Sequence, residues 1–267
     1  MDSGLSRLFH QRSSKHSLGT RYIGKKLLAY DLVTSTNDLA HFLAESGEPQ
    51  GTVLFANGQT QGRGRLGNAW NSPVGKGIYC SFILRPELEV ARMPLVTLTV
   101  AMAIAKALKG IHVDKVSIKW PNDVYVGHGK VAGILTEMHL EGDRVGYAVV
   151  GLGVNVNLSR GELPPGATSV ALALKREVDL VDLSHIIIKN LDRLYADLLE
   201  GRSRELLGMI KESSGLILGE RVRVVTANHV VEGYALDFDE NGSLVIRLDN
   251  GCCQVVHTGH LEKPGVS

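Results

Sequence analysis

From Tyr22 onward, β-rich runs trade places with segments whose apolar positions recur at helical spacing. Thr52–Ala56 and Gly77–Leu84 carry β-branched and aromatic side chains in the pattern of strands. Ahead of them, Ser35-Thr36-Asn37-Asp38 opens a segment that puts Leu39, Phe42 and Leu43 on one helical face. A serine with an acid three residues later resembles a capping box, and Gly47 and Pro49 mark the stop. Pro94 occupies a first helical position ahead of a helix that runs to about Leu108. Val116–Trp120 and Val124–Val126 read as short strands around the turn Pro121-Asn122-Asp123. Val131–Leu140 and Arg144–Val154 form a hairpin across Glu141-Gly142-Asp143. Helices resume over Leu183–Leu199 and Arg204–Ile210. This order predicts an α+β fold, a central mixed or largely antiparallel sheet with helices on one side.

The pattern changes near the C-terminus. Arg221–Val225, Val230–Phe238, Ser243–Leu248 and Cys252–Val256 are short strands. Asn241-Gly242 and Asn250-Gly251 predict hairpin turns with positive φ at both central residues, in a β-meander curling into a small barrel. Gly215–Gly219 is the natural boundary. The expected division is a flexible tail over 1–20, a large domain over 21–215 and a small β-barrel over 216–267.

Composition narrows the class. The 267 residues hold 29 Lys+Arg against 28 Asp+Glu, a net charge of +1, with 44% hydrophobic residues. These values exclude wholesale disorder and argue against a chain that coats nucleic acid or an anionic membrane. Three cysteines, two of them adjacent, make no disulfide framework and suit a reducing compartment. The longest apolar run, Met93–Leu108, is interrupted by Thr97, Thr99 and Lys106 and falls short of the about 20 residues a membrane span needs. Met1–Gly19 is Ser-rich and basic without an apolar core, so no secretory signal is expected and a cytoplasmic location is.

Candidate chemistry lies in three segments. Gly62-Arg63-Gly64-Arg65-Leu66-Gly67 satisfies G-x-G-x-x-G, but Asn71, Ser72, Pro73, Gly75 and Gly77 follow where a dinucleotide fingerprint needs a helix. What remains of Asn57–Gly77 is a glycine loop with two guanidiniums suited to phosphate or carboxylate, and an indole, Trp70, with a flat face for a base; a plain surface loop is the rival reading. Lys119-Trp120-Pro121-Asn122-Asp123 ends a strand and exposes its tip, and Lys130 enters the strand Val131-Ala132-Gly133-Ile134-Leu135 with its ammonium within reach of a shared cleft. A simple turn and a solvated edge lysine explain the same residues. Gly151-Leu152-Gly153-Val154-Asn155 would let something approach the backbone, and equally suits a bulge.

Together, in this order and spacing, Ser35-Thr36-Asn37, the Gly-Arg-Gly-Arg loop ending in Trp70, Lys119–Asp123, Lys130–Leu135 and Gly151–Asn155 resemble the biotin protein ligase family, over about residues 21 to 263. The resemblance implies a class II synthetase-like fold with an SH3-like C-terminal barrel. It implies that biotin and ATP give biotinyl-AMP and pyrophosphate, and that biotin then passes to a lysine of a biotin carboxyl carrier domain. It implies roles for individual residues: Ser35, Thr36, Asn37, Gln59, Gly133 and Gly151 for biotin, and Arg63, Gly64 and Arg65 over the adenylate. Lys130 would stand beside the biotin carboxylate and α-phosphate, with Arg65 and Lys130 as the catalytic pair. Trp70, Asn122, Asn155 and Lys119 would serve ATP, and Asp123 would place Mg²⁺ or the carrier lysine. Asn68 departs from an arginine common in the family. Lipoate or octanoate ligases of the same fold are one alternative. A biotin-responsive repressor is another; it requires an N-terminal helix-turn-helix, which residues before Tyr22 do not supply. Many members dimerise through the central sheet, and the sequence leaves homodimer or monomer open.

Overall fold

The computed structural model describes residues 18–214, 217–226 and 228–262. The tail expected over 1–20 therefore lies almost wholly outside the described residues, as does part of the Gly215–Gly219 boundary. Seven strands form one sheet: β1 (Lys26–Val33), β2 (Thr52–Gln59), β3 (Gly77–Leu84), β4 (Val116–Lys119), β5 (Asp123–Val126), β6 (Gly129–Glu141) and β7 (Arg144–Asn155), in spatial order β1-β2-β3-β7-β6-β5-β4. Only β1 and β2 run parallel; every other neighbouring pair is antiparallel, β4 to β7 as a chain of local hairpins and β3 with β7 by a long-range pairing.

The helices are α1 (Thr36–Glu45), α2 (Met93–Gly110), α3 (Val170–Leu174), α4 (Leu180–Leu199) and α5 (Ser203–Ser213). Strand alternation divides the core between the two sheet faces. Cys80, Phe82 and Leu84 pack with α2, α4 and α5 in the main core, whereas Ile83, Leu54 and Val149 pack with Ala40 and Ala44 of α1. The one-sided arrangement thus holds for the three long helices, and α1 covers part of the opposite face. Ser35 caps α1 by accepting from the Asp38 backbone N–H, and Gly47, at φ 88°, follows its end.

The helical stretch Val90–Gly110 is long and apolar enough to cross a membrane, contrary to the expected shortfall. It lies buried between sheet and helices. Its interrupting threonines return their hydroxyls to the helix: Thr97 Oγ1 donates to the Met93 carbonyl and Thr99 Oγ1 to that of Leu95. The buried Asp192 carboxylate on α4 accepts three backbone N–H groups, from Arg21, Tyr22 and Ile23, at 2.8, 2.6 and 2.8 Å, and so fixes the chain's entry into the fold.

The last strands, β8 (Arg221–Val225), β9 (Val230–Phe238), β10 (Leu244–Arg247), β11 (Cys253–Val256) and β12 (His260–Glu262), form an antiparallel sheet in the order β11-β10-β9-β8-β12. It is SH3-like and no ladder joins β11 to β12. Both hairpin turns differ from expectation. Gly242 and Gly251 have positive φ, but Asn241 and Asn250 do not. The N–H of Gly242 donates to the Asp239 carbonyl and that of Gly251 to the Leu248 carbonyl, so each is a three-residue loop with a left-handed glycine. A Cβ on Gly242 would come within 3.0 Å of the Leu95 backbone, and its carbonyl accepts from Trp120 Nε1 at 3.2 Å. The first hairpin is therefore the point where this small sheet seats on α2.

Candidate active site

A cavity of about 280 Å³ opens at the end of the sheet where β6 and β7 meet the glycine loop. It is lined by Ser35, Thr36, Asn37, Gln59, Arg63, Gly64, Arg65, Trp70, Asn122, Asp123, Lys130, Gly133, Gly151 and Asn155. Every sequence candidate except Lys119 is thus brought together from five separate stretches. Lys119 follows the alternation of β4, which sends Val116 and Ile118 into the core; its ammonium rests 5.6 Å from the Tyr125 ring centre, outside the cavity lining.

One end of the cavity is a polar pocket. Gln59 Oε1 accepts from the Thr36 backbone N–H at 2.8 Å and from Thr36 Oγ1 at 3.1 Å. Ser81, buried on β3, donates to Asn37 Oδ1 at 2.6 Å and lies 2.8 Å from Thr36 Oγ1. Gly151 is required beside them, because a Cβ there would stand 2.0 Å from Asn37 Oδ1. Thr36, Asn37 and Ser81 are buried, Gln59 is half-buried, and all four are mutually restrained, so their donors and acceptors are set before any ligand arrives.

The other end has a floor without side chains. Gly133 on β6 and Gly153 on β7 are direct cross-strand partners, and Trp70 lies across them. A Cβ on Gly153 would stand 2.3 Å from Trp70 Nε1, and one on Gly133 3.0 Å from Trp70 Cζ3. The indole Nε1 is buried without a hydrogen-bond partner. What approaches these backbone glycines is therefore the protein's own indole, as Asn37 approaches Gly151.

Lys130 and Arg65 supply the cations. Lys130 Nζ lies 2.6 Å from Asp123 Oδ1 and 5.4 Å from the Trp70 ring centre. Arg65 donates to Asn122 Oδ1 at 3.0 Å, to Thr258 Oγ1 at 2.8 Å and to the Gly259 carbonyl at 3.3 Å, so the small sheet reaches the site through this residue. Burial pulls Arg65 below its ordinary value, opposed by the nearby Asp123 carboxylate. Asn122 is fully engaged: its Nδ2 donates to the Ile134 carbonyl at 2.8 Å while its Oδ1 holds Arg65. Asn155 donates to the Thr168 carbonyl at 3.2 Å.

The glycine loop carries more order than its composition suggests. Arg63 and Ala69 form an antiparallel bridge, and the N–H of Gly64 donates to the Asn68 carbonyl at 2.7 Å. Asn68 closes the turn by donating to the Arg65 carbonyl at 3.0 Å. Five residues outside the sequence candidates also reach the site: Glu137 and Asp38 hold Arg63, Ser81 holds Asn37, Thr258 holds Arg65, and His260 lines the cavity. Of these, Glu137 was within reach, since strand alternation puts it on the face of Gly133 and Leu135; the others depend on tertiary neighbours.

Residues 29–155 match the biotin/lipoate A/B protein ligase family and residues 217–263 the biotin protein ligase C-terminal domain. The chain is 32% identical over 232 residues to the biotin–[acetyl-CoA-carboxylase] ligase of Mycobacterium tuberculosis, covering 84% of each protein. The chain belongs to the biotin protein ligase family. The bifunctional ligase/repressor BirA of Bacillus subtilis is 33% identical over 241 residues, which span 89% of this chain and 74% of that protein. Among solved structures, the biotin protein ligase of Aquifex aeolicus in complex with biotin and ATP superposes with a TM-score of 0.76 at 30% identity, covering 90% of this chain and 98% of that one. The fold, the family and the ATP-dependent ligase class are those the sequence motifs implied.

Proposed function

We propose that this member of the family makes biotinyl-5′-AMP from biotin and ATP and transfers biotin to a lysine of a biotin carboxyl carrier domain. The observation that carries this reading is the convergence of Lys130 and Arg65 on one cavity whose two ends differ in chemistry. The polar end formed by Thr36, Asn37 and Gln59 suits the ureido group of biotin. The flat end, with Trp70 on the Gly133–Gly153 pair, suits adenine.

In the first step a carboxylate oxygen of biotin bonds to the α-phosphorus of ATP, and the bond to pyrophosphate breaks. Two anions must meet, so Lys130 and Arg65 in a partly buried cleft lower the barrier by neutralising both. Before ligand arrives Lys130 is paired with Asp123, and the incoming carboxylate and phosphate replace that partner. In the second step the neutral amine of a carrier lysine bonds to the acyl carbon, AMP leaves, and the amine gives up a proton. Asp123 is the sole carboxylate among the described cavity-lining residues, and it is the group we assign to the carrier lysine or to Mg²⁺. A single carboxylate suits Mg²⁺, which keeps several waters and is held by one or two carboxylates together with substrate phosphates. The ion would neutralise phosphate charge.

Biotin is preferred over lipoate because residues 217–263 match a domain named for biotin protein ligases and because both loop arginines are present. A net charge of +1 gives no support for a DNA-binding surface. We further assign the chain to the cytoplasm, place the domain boundary near 215, and read a homodimer as compatible with the fold. Biotin-dependent ATP–pyrophosphate exchange tests the activity. Exchange with biotin and not with lipoate is expected, and a preference for lipoate would overturn the assignment.

A further inference from the structure

The two arginines of the glycine loop have different partners. Arg63 grips Glu137 with a two-pronged ion pair, Nη1 to Oε1 and Nη2 to Oε2, both at 2.9 Å, and its Nη2 also lies 2.7 Å from Asp38 Oδ1. Two carboxylates thus satisfy it. Arg65 instead meets a side-chain amide oxygen, a hydroxyl and a carbonyl, all neutral. An arginine held by neutral acceptors keeps its charge available to an anion, whereas one locked in a fork with a carboxylate acts as a cross-link.

Glu137 makes one further contact. Its Oε2 accepts from Asn37 Nδ2 at 2.7 Å, and Asn37 is the side chain packed against Gly151 and held by Ser81. His41 Nε2 lies 3.6 Å from the same oxygen. The carboxylate therefore joins the glycine loop to the polar pocket through a short chain, Arg63–Glu137–Asn37. We infer that Glu137 is a positioning residue: it sets the placement of the glycine loop and the shape of the biotin end of the cavity together, with Arg63 as its anchor and Arg65 left to the anion. This inference rests on the ligase reading and removes Arg63 from the groups that contact the nucleotide.

Trypsin and adenylate lifetime provide the test, because Arg63 and Arg65 are themselves tryptic sites within the loop. Glu137→Gln keeps an acceptor for Asn37 and loses the charged fork. Losing a charge-assisted pair of this exposure is expected to speed tryptic cleavage of the substrate-free loop, and release of biotinyl adenylate from the enzyme, each by roughly tenfold. The melting temperature should change by no more than about 4 °C. In an Arg63→Ala background the Glu137 substitution should add nothing to adenylate release, a result that simple destabilisation would not give. Arg63→Lys, which keeps the charge without the fork, carries the same expectation if Glu137→Gln does not fold. Unchanged cleavage, unchanged adenylate lifetime, or additive effects in the double variant would each overturn the inference. A wild-type protein that forms no biotinyl adenylate would instead defeat the ligase reading, while the cleavage rates would still judge the anchor.

Discussion

Replacing Gly153 by alanine places a methyl carbon 2.3 Å from Trp70 Nε1 and 2.4 Å from Cε2. An ordinary contact between carbon atoms needs about 3.5 Å, so the indole must move by roughly 1 Å or the β7 backbone must yield. The backbone is restrained, because Gly153 is paired with Tyr79 on one side and Gly133 on the other. The indole moves instead. Stacking of a base on an aromatic ring contributes about 1–3 kcal/mol, and losing roughly two-thirds of a mid-range value of about 2 kcal/mol corresponds to about a tenfold weaker grip on the nucleotide. Pyrophosphate exchange measured against ATP concentration should therefore show KM for ATP raised about tenfold, with KM for biotin nearly unchanged. The biotin end is insulated because Gly151 and Asn37 are untouched. An alanine variant that folds normally and keeps the wild-type KM for ATP would refute the claim that the paired glycines position Trp70 for the nucleotide.

Other expectations follow from the same geometry. Gly151→Ala sets its Cβ against Asn37 Oδ1 at 2.0 Å and should raise KM for biotin about tenfold while leaving that for ATP near normal, the mirror image of Gly153→Ala. Lys130→Ala should abolish most biotin-dependent exchange, and Arg65→Ala should shorten adenylate retention; undiminished exchange in the first would remove Lys130 from the reaction. Asp192→Ala leaves three backbone donors without their carboxylate and should cost about 3 kcal/mol, read as a melting temperature lower by roughly 6–12 °C. Burial pushes the Cys80 thiol up, so alkylating reagents should label exposed Cys252 and Cys253 in the native protein and reach Cys80 only on unfolding. The sign for stability follows: an unfolded Cys80 ionises first, so its contribution falls as pH rises above the ordinary thiol value near 8.5.

Much of the fold and most of the candidate site were legible in the sequence because the signals were local. The hairpin β6–β7, the capped α1 and the Pro-started α2 each carry their own punctuation. β1 was not legible: Lys26–Val33 is a half-exposed edge strand without clean alternation, and it pairs with a strand 26 residues away in sequence. The Asn-Gly turns were misread in type because a bulge with one left-handed glycine and a turn with two left-handed residues share the same dipeptide. Lys119 was drawn into the site by its neighbours Asn122 and Asp123, although strand alternation turns it elsewhere. Strand alternation puts Glu137 on the face of Gly133 and Leu135, but its partner Arg63 stands 74 positions earlier and only the folded sheet brings the two together.

The central claim is that one cavity both activates biotin and delivers it to a carrier lysine. Intact mass of a biotin carboxyl carrier domain, incubated with this protein, biotin and ATP, tests it most directly. The account predicts a single biotinyl addition that disappears when the carrier lysine is replaced or when Lys130→Ala is used. No addition from biotin, or addition of lipoate in its place, would contradict it.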